Sequence, residues 1–93
     1  MAITVRIPST LRKITGGASR LETHGSTVRE ALTDVVQAHP ELGSRVYDEQ
    51  GELRRFVNLF VGGEDIRFLS GLDTPLVDGA ELSIVPAVAG GGR

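Results

Sequence analysis

Only one stretch of this 93-residue chain has the apolar periodicity of an amphipathic helix, and that limits what the remainder can build. Apolar side chains recur at helical spacing from Val28 to Val36, which predicts one buried face. Thr27 and Glu30 have the spacing of a capping box, in which the Thr27 hydroxyl accepts from the Glu30 N–H and the Glu30 side chain reaches back. Pro40 predicts that the helix ends near Ala38. A single helix of this length can cover only a small sheet.

The segments before the helix have the pattern of a β-hairpin. Residues 3–7 alternate between β-branched apolar and polar side chains, as in a half-buried strand. Residues 19–24 form a weaker second strand, with Leu21 and Thr23 on one face. Because the two strands are adjacent in the chain, we expect them to pair antiparallel.

After the helix, the sequence predicts an irregular segment over residues 41–52, with a short helical turn at 42–46, and then three strands. Residues 53–61 form a long apolar strand, and a Gly-Gly turn leads into a short partner strand that begins over 64–68. Asp78-Gly79 marks a turn before the last strand, residues 81–85.

This order of elements predicts an α+β fold, the β-grasp or ubiquitin-like roll. We expect a mixed sheet of four to five strands covered by one main helix, with the first and last strands parallel in its centre. Residues 1–89 would form the domain, and residues 90–93 a flexible glycine tail. The residues expected to face the helix are Ile3, Val5, Ile7, Val57, Leu59, Val61, Leu82 and Ile84.

Composition excludes several classes of function. The absence of cysteine rules out disulfides, thiolate zinc sites and a cysteine nucleophile, and the two histidines, His24 and His39, are too few for a His-rich metal site. The net charge is −2 with no basic stripe, which argues against nucleic acid binding. No apolar run approaches a membrane span, and the N-terminus lacks a signal-peptide pattern. We expect a cytoplasmic protein without catalytic residues, bound metal or cofactor.

The glycine tail is the feature that could carry chemistry. Gly90, Gly91 and Gly92 follow the last strand closely. A frayed terminus is one interpretation. The other follows from the predicted fold: a tail without Cβ atoms can pass through a narrow channel and present a carboxylate to the active site of another enzyme.

These features resemble the ThiS/MoaD family of ubiquitin-like sulfur carriers, and most closely its CysO-type branch from actinobacteria. The similarity covers nearly the whole chain, and the ordered run from the Asp-Gly turn through the last strand and proline to Gly-Gly is its most specific part. The resembling stretches are residues 27–32, residues 56–58, residues 78–86 and residues 85–91.

The resemblance implies a function through partners. In this family an activating enzyme uses ATP and magnesium to adenylate the terminal glycine carboxylate, which is then converted to a thiocarboxylate. A sulfur-accepting synthase takes the sulfur for a biosynthetic product, such as cysteine, a thiazole or molybdopterin. Two rival hypotheses remain: a β-grasp interaction module with an inert tail, and a ubiquitin-like protein modifier.

The chain departs from the family pattern because it continues past Gly-Gly. Alignment of residues 87–91 with the family end makes Gly91 the acceptor, whereas counting back from Arg93 makes Gly92 the acceptor. We favour Gly91. The resemblance then implies that a zinc metallopeptidase removes the residues beyond it.

A docking surface is expected on the open side of the sheet. If Val57 and Leu59 point toward the helix, Phe56 and Phe60 point away from it. We expect Val85 and Arg6 to lie near them and the set to bind partners, since exposed aromatic residues often mark such surfaces. The alternative is that residues 41–53 fold over the aromatic pair as a second small core.

Overall fold

The computed structural model describes residues 2–86 of the chain. This part contains five strands and two α-helices, joined by loops and short turns. Within this part no helix is long and apolar enough to cross a membrane. Short 3-10 turns lie at Ser9–Leu11, Ile66–Phe68 and Gly71–Asp73. The main elements are β1 (Ala2–Arg6), β2 (Arg20–His24), α1 (Val28–Ala38), α2 (Pro40–Val46), β3 (Val57–Val61), β4 (Glu64–Asp65) and β5 (Glu81–Pro86).

The strands form one mixed sheet in the order β2-β1-β5-β3-β4. β1 and β5 are parallel, and Val5 stands opposite Leu82. The β1–β2, β3–β4 and β3–β5 pairs are antiparallel. This arrangement confirms the β-grasp fold and the central parallel pair that the sequence predicts.

The Asp78-Gly79 turn fixes the register of that central pair. The Ala2 amide donates to the Asp78 carboxylate at 2.8 Å, and the Gly79 amide donates to the Ala2 carbonyl at 2.8 Å. The Thr4 amide then donates to the Ala80 carbonyl at 3.0 Å. A turn recognised from sequence thus holds the start of β1 against the start of β5.

One core lies between the sheet and the helices. The residues predicted to face the helix are all buried, except Val61, which is half-buried. The predicted helix face is also buried apart from the half-buried Val36. The core also takes in side chains that the sequence did not assign to it, among them Leu11, Leu42, Val46, Ile66 and Leu76.

Helix α1 begins and ends where the sequence predicts. Thr27 is its N-cap, and its hydroxyl accepts from the Glu30 amide at 3.2 Å. The Glu30 side chain reaches back to Ser26, accepting from its amide and its hydroxyl at 2.8 Å each. These two hydrogen bonds hold the pKa of Glu30 below its ordinary value.

Gly25 permits the close approach of β2 to the start of α1. A Cβ atom on Gly25 would lie 2.7 Å from the Ala31 amide nitrogen and 2.9 Å from the Glu30 Cβ. Both distances are shorter than real contacts allow. The crossing from the hairpin to the helix therefore needs glycine at this position.

The segment between α1 and β3 differs from the prediction. Residues 40–46 form a complete short helix, with Pro40 in its first turn, where its missing N–H costs nothing. The predicted long strand over 53–61 is wrong at its start, because β3 begins only at Val57. The preceding chain loops back instead: the Asp48 carboxylate accepts from the Gln50 and Glu52 amides at 2.9 and 3.0 Å.

The partner strand after β3 is shorter than expected. Gly62 and Gly63 make the turn at φ +59° and +86°, values that favour glycine. β4 then pairs with β3 only through Glu64 and Asp65. The Asp65 side chain accepts from the Arg67 amide at 2.8 Å and thereby starts a 3-10 turn in place of further strand.

Asp34 gives the fold a pH-dependent contribution. Its carboxylate accepts from the buried Thr23 hydroxyl and from the His24 amide, and these bonds hold the pKa of Asp34 below its ordinary value. We expect Asp34→Asn to lower the free energy of unfolding at neutral pH, as measured by urea denaturation. Because the folded-state pKa is depressed, the advantage of the native protein should be lost as pH falls through that pKa.

Glu22→Gln on the exposed side of β2 is the matched control, and we expect only a small change from it at any pH. A deficit of Asp34→Asn that did not change between neutral and acidic pH would contradict the assigned role of the carboxylate charge.

Candidate functional site: the open face and the end of the last strand

The glycines predicted to carry the chemistry, Gly90, Gly91 and Gly92, lie outside the described residues. The structure describes the chain up to Pro86, the last residue of β5. β5 is the central strand between β1 and β3, and Pro86 is paired with Val57 of β3. The pairing of β5 with β1 ends earlier, at Ser83.

Three of the predicted partner-binding residues lie on neighbouring strands. Ser83 of β5 stands opposite Arg6 on one side and Phe60 on the other. Val85 stands opposite Asn58 and is 41% exposed, whereas Phe60 is half-buried. We call Arg6, Ser83, Phe60 and Val85 the open-face row.

Phe56 occupies a different setting from the one predicted. It precedes β3 in a turn and is 50% exposed. Residues 41–53 therefore do not bury Phe56, contrary to the alternative in which that segment covers Phe56 and Phe60. The buried residues of that segment, Leu42 and Val46, join the single core instead.

Phe56 lines an open groove of about 1000 Å³ beside the end of β5. The groove lies between α2, the chain leading into β3, and the 3-10 turn after β1. We call it the exit groove. Its lining residues include Leu11, Phe56 and Pro86, the arginines Arg45, Arg54 and Arg55, and the acidic residues Glu41 and Asp48.

Arg67 supports this side of the sheet, although nothing in the sequence pattern marks it out. Its guanidinium donates to the Val57 carbonyl at 2.9 Å, to the Arg55 carbonyl at 3.5 Å and to the Asn58 side chain. It also lies 3.9 Å from the Asp65 carboxylate. Since β4 pairs only with the far end of β3, Arg67 satisfies the carbonyl groups that a longer β4 would have bound.

The open-face row carries one exposed ion pair. Arg6 lies 3.9 Å from Glu81, and both side chains are about half exposed. A pair of this kind contributes little to stability because water screens it. Breaking the Arg6–Glu81 ion pair would therefore cost the domain little stability.

The described residues contain neither a metal-binding cluster nor an unsatisfied buried polar side chain. Within residues 2–86 no group of three His, Asp or Glu side chains could hold a metal ion. Every buried side-chain nitrogen or oxygen in that range has a hydrogen-bond partner.

Comparison with known proteins identifies the family. A model of the ThiS family matches residues 5–91, nearly the whole chain. The chain belongs to the ThiS family. The match ends at Gly91, the residue that the sequence favours as acceptor.

Individual relatives agree with this assignment. The sulfur carrier protein CysO of Mycobacterium tuberculosis is 41% identical over 98% of this chain and 100% of its own length. CysO in the BexX/CysO complex of Amycolatopsis orientalis superposes with a TM-score of 0.88 and 45% identity, over 96% of this chain and 99% of that one. Small archaeal modifier protein 1 of Haloferax volcanii superposes with a TM-score of 0.83 and 30% identity, over 98% and 100%.

The bridging role of Arg67 can be tested by Arg67→Met. Loss of its charge-assisted hydrogen bonds to the edge of β3 should lower the free energy of unfolding by about 1–2 kcal/mol. Amide hydrogen exchange at Val57 and Asn58 should become faster. Arg45→Met, at an exposed arginine, should leave both quantities nearly unchanged. Equal stability and equal exchange in the two variants would contradict the role given to Arg67.

Proposed function

We propose that this protein is a sulfur carrier whose Gly91 carboxylate is activated by a partner enzyme and converted to a thiocarboxylate. Full-length similarity to CysO is the observation that carries the proposal. The family match that ends at Gly91 supports the choice of acceptor. The carrier is then a co-substrate, and the catalytic groups belong to its partners.

The chemistry proceeds in two substitutions. A carboxylate is a poor electrophile, so one of its oxygens first attacks the α-phosphorus of ATP and displaces pyrophosphate, with the magnesium held by the activating enzyme. A sulfide donor then attacks the acyl adenylate at its carbonyl carbon, and AMP leaves. The product is a thiocarboxylate, which is ionised at neutral pH and acts as a sulfur nucleophile toward the accepting synthase.

The fold suits this role because the surface that a partner would bind, the sheet, is separate from the reacting group, the Gly91 carboxylate. A partner can hold the sheet, whose register is fixed by the central strands, while its active site receives the glycine tail. Glycine fits a narrow channel since it has no side chain to clash with the walls. The described domain contributes recognition, and the tail contributes the reacting group.

The acceptor assignment predicts which chains can be activated. We expect ATP–pyrophosphate exchange by the cognate activating enzyme with a chain ending at Gly91, and none with the chain ending at Arg93. Two further residues add about 7 Å of extended chain and carry the carboxylate past the reacting position. Gly91→Ala at the end of the shortened chain should also block exchange, because a methyl group would crowd the channel.

A chain ending at Gly92 is the control for the alternative acceptor. Exchange with that chain alone would move the acceptor to Gly92. Equal exchange by the chain ending at Arg93 would show that no trimming is needed. If trimming is required, a metallopeptidase that cuts after Gly91 completes the set of partners.

Protein conjugation is a second candidate function, favoured by the structural similarity to a small archaeal modifier protein. The same acyl adenylate would then pass the Gly91 carbonyl to a lysine amine. Mass spectrometry after incubation with the activating enzyme, ATP and a sulfide donor separates the two functions. A carrier gains one sulfur in exchange for one oxygen, whereas a modifier appears as an isopeptide adduct.

The open-face row should contribute to binding of the activating enzyme. We expect Phe60→Ala to weaken that binding by about 1–3 kcal/mol, as aromatic residues at the centre of an interface commonly do. Phe68→Ala is the matched control, because Phe68 is 83% exposed and lies beyond the row, in the 3-10 turn after β4. Isothermal calorimetry measures the affinity, and urea denaturation shows whether each variant folds. Unchanged affinity of folded Phe60→Ala would remove this residue from the interface.

A further inference from the structure

The exit groove combines positive charge with an exposed aromatic ring at the point where the tail begins. Arg45 on α2 and Arg54 and Arg55 before β3 line it, and all three are exposed. Phe56 is half exposed in the same groove, and Pro86, the last described residue of β5, forms part of its wall.

The charges of these arginines are not used within the described part of the chain. None of the ion pairs among residues 2–86 includes Arg45, Arg54 or Arg55. Arg54 donates through Nε to the Ser44 carbonyl at 2.9 Å, which orients its guanidinium.

Two acidic residues, Glu41 and Asp48, also line the groove. The Asp48 carboxylate accepts from two amides of its own loop at 2.9 and 3.0 Å. Glu41 lies in the first turn of α2, where the free N–H groups of the helix favour negative charge. The lining therefore carries three arginines and two carboxylates, a formal excess of one positive charge, in a protein whose net charge is −2.

The short length of residues 87–91 limits how far the exit groove can lie from an enzyme that acts on Gly91. Residues 87–91 span at most about 18 Å when fully extended. An active site recessed inside an enzyme uses most of that length, so the rim of its channel must lie close to Pro86. The exit groove is then covered by the rim of that channel.

We propose that the exit groove binds an acidic segment on the rim of the activating enzyme, which pairs with Arg45 and Arg55 and packs against Phe56. This inference rests on the proposed function, and it specifies the chemistry of the partner surface. Exposed charges at the edge of an interface act mainly on the association rate and its salt dependence. The groove would thus orient the carrier so that its tail meets the channel.

The test uses the chain ending at Gly91 and the adenylating enzyme of the same organism. In stopped-flow binding at low salt, about 0.01 M, Arg45→Glu/Arg55→Glu should slow association about tenfold or more. At about 1 M salt the Debye length falls to about 3 Å, and the difference should largely disappear. Arg45→Lys/Arg55→Lys, which keeps both charges, should associate nearly as fast as the native chain.

Arg29→Glu, measured against Arg55→Glu alone, is the control with the same change in net charge. Arg29 lies in the first turn of α1 and does not line the groove, and its exposed ion pair with Asp73, at 3.5 Å, contributes little to stability. Equal slowing by these two single variants would show that only net charge matters and would overturn the proposal. No slowing by the groove pair, with folding verified by circular dichroism, would also overturn it.

Two further outcomes are distinguishable. If the unsubstituted chain ending at Gly91 forms no adenylate and no thiocarboxylate with the enzyme, the proposed function fails, and this inference fails with it. If adenylation proceeds and the groove pair loses only salt-sensitive binding to a fluorescent oligonucleotide, the groove serves nucleic acid and the acidic protein segment is wrong.

Discussion

The parallel pairing of β1 with β5 is the interaction on which the other features depend. It joins the two ends of the described chain in the centre of the sheet and leaves the edges to β2 and β4. The Asp78-Gly79 turn sets its register through hydrogen bonds to Ala2. Leu82 and Ser83 are thereby paired on both sides, whereas β5 is paired with β3 alone from Ile84 to Pro86.

That pairing also arranges the surfaces that partners can use. Ser83 of β5 stands between Arg6 of β1 and Phe60 of β3, and Val85 stands opposite Asn58 of β3, so the open-face row spans three strands. The same strand ends at Pro86, in the wall of the exit groove. The open-face row and the last described residue, Pro86, therefore share one strand, an arrangement that suits the proposed carrier function.

The edge beyond β3 shows how a side chain can take the place of strand pairing. β4 pairs with β3 at two positions only, and Arg67 donates to the Val57 carbonyl at the start of β3 and to the Arg55 carbonyl just before it. An arginine suits this role because its planar group offers several donors in a fixed arrangement. The bond from Arg67 to the Arg55 carbonyl also fixes the turn that contains Phe56, next to the exit groove.

The sequence by itself determined the features that depend on neighbouring residues: the hairpin, the N-cap of α1 at Thr27, the inward and outward faces of the strands, and the order of elements that gives the β-grasp fold. Local periodicity and turn chemistry contain that information. Only the tertiary structure decided the start of β3, the second helix, the need for glycine at Gly25 and the bridging role of Arg67. The exit groove belongs with these, since it joins residues from α2, β5 and two loops. Each of these depends on groups far apart in the chain, and their contacts arise only when the central strands bring them together.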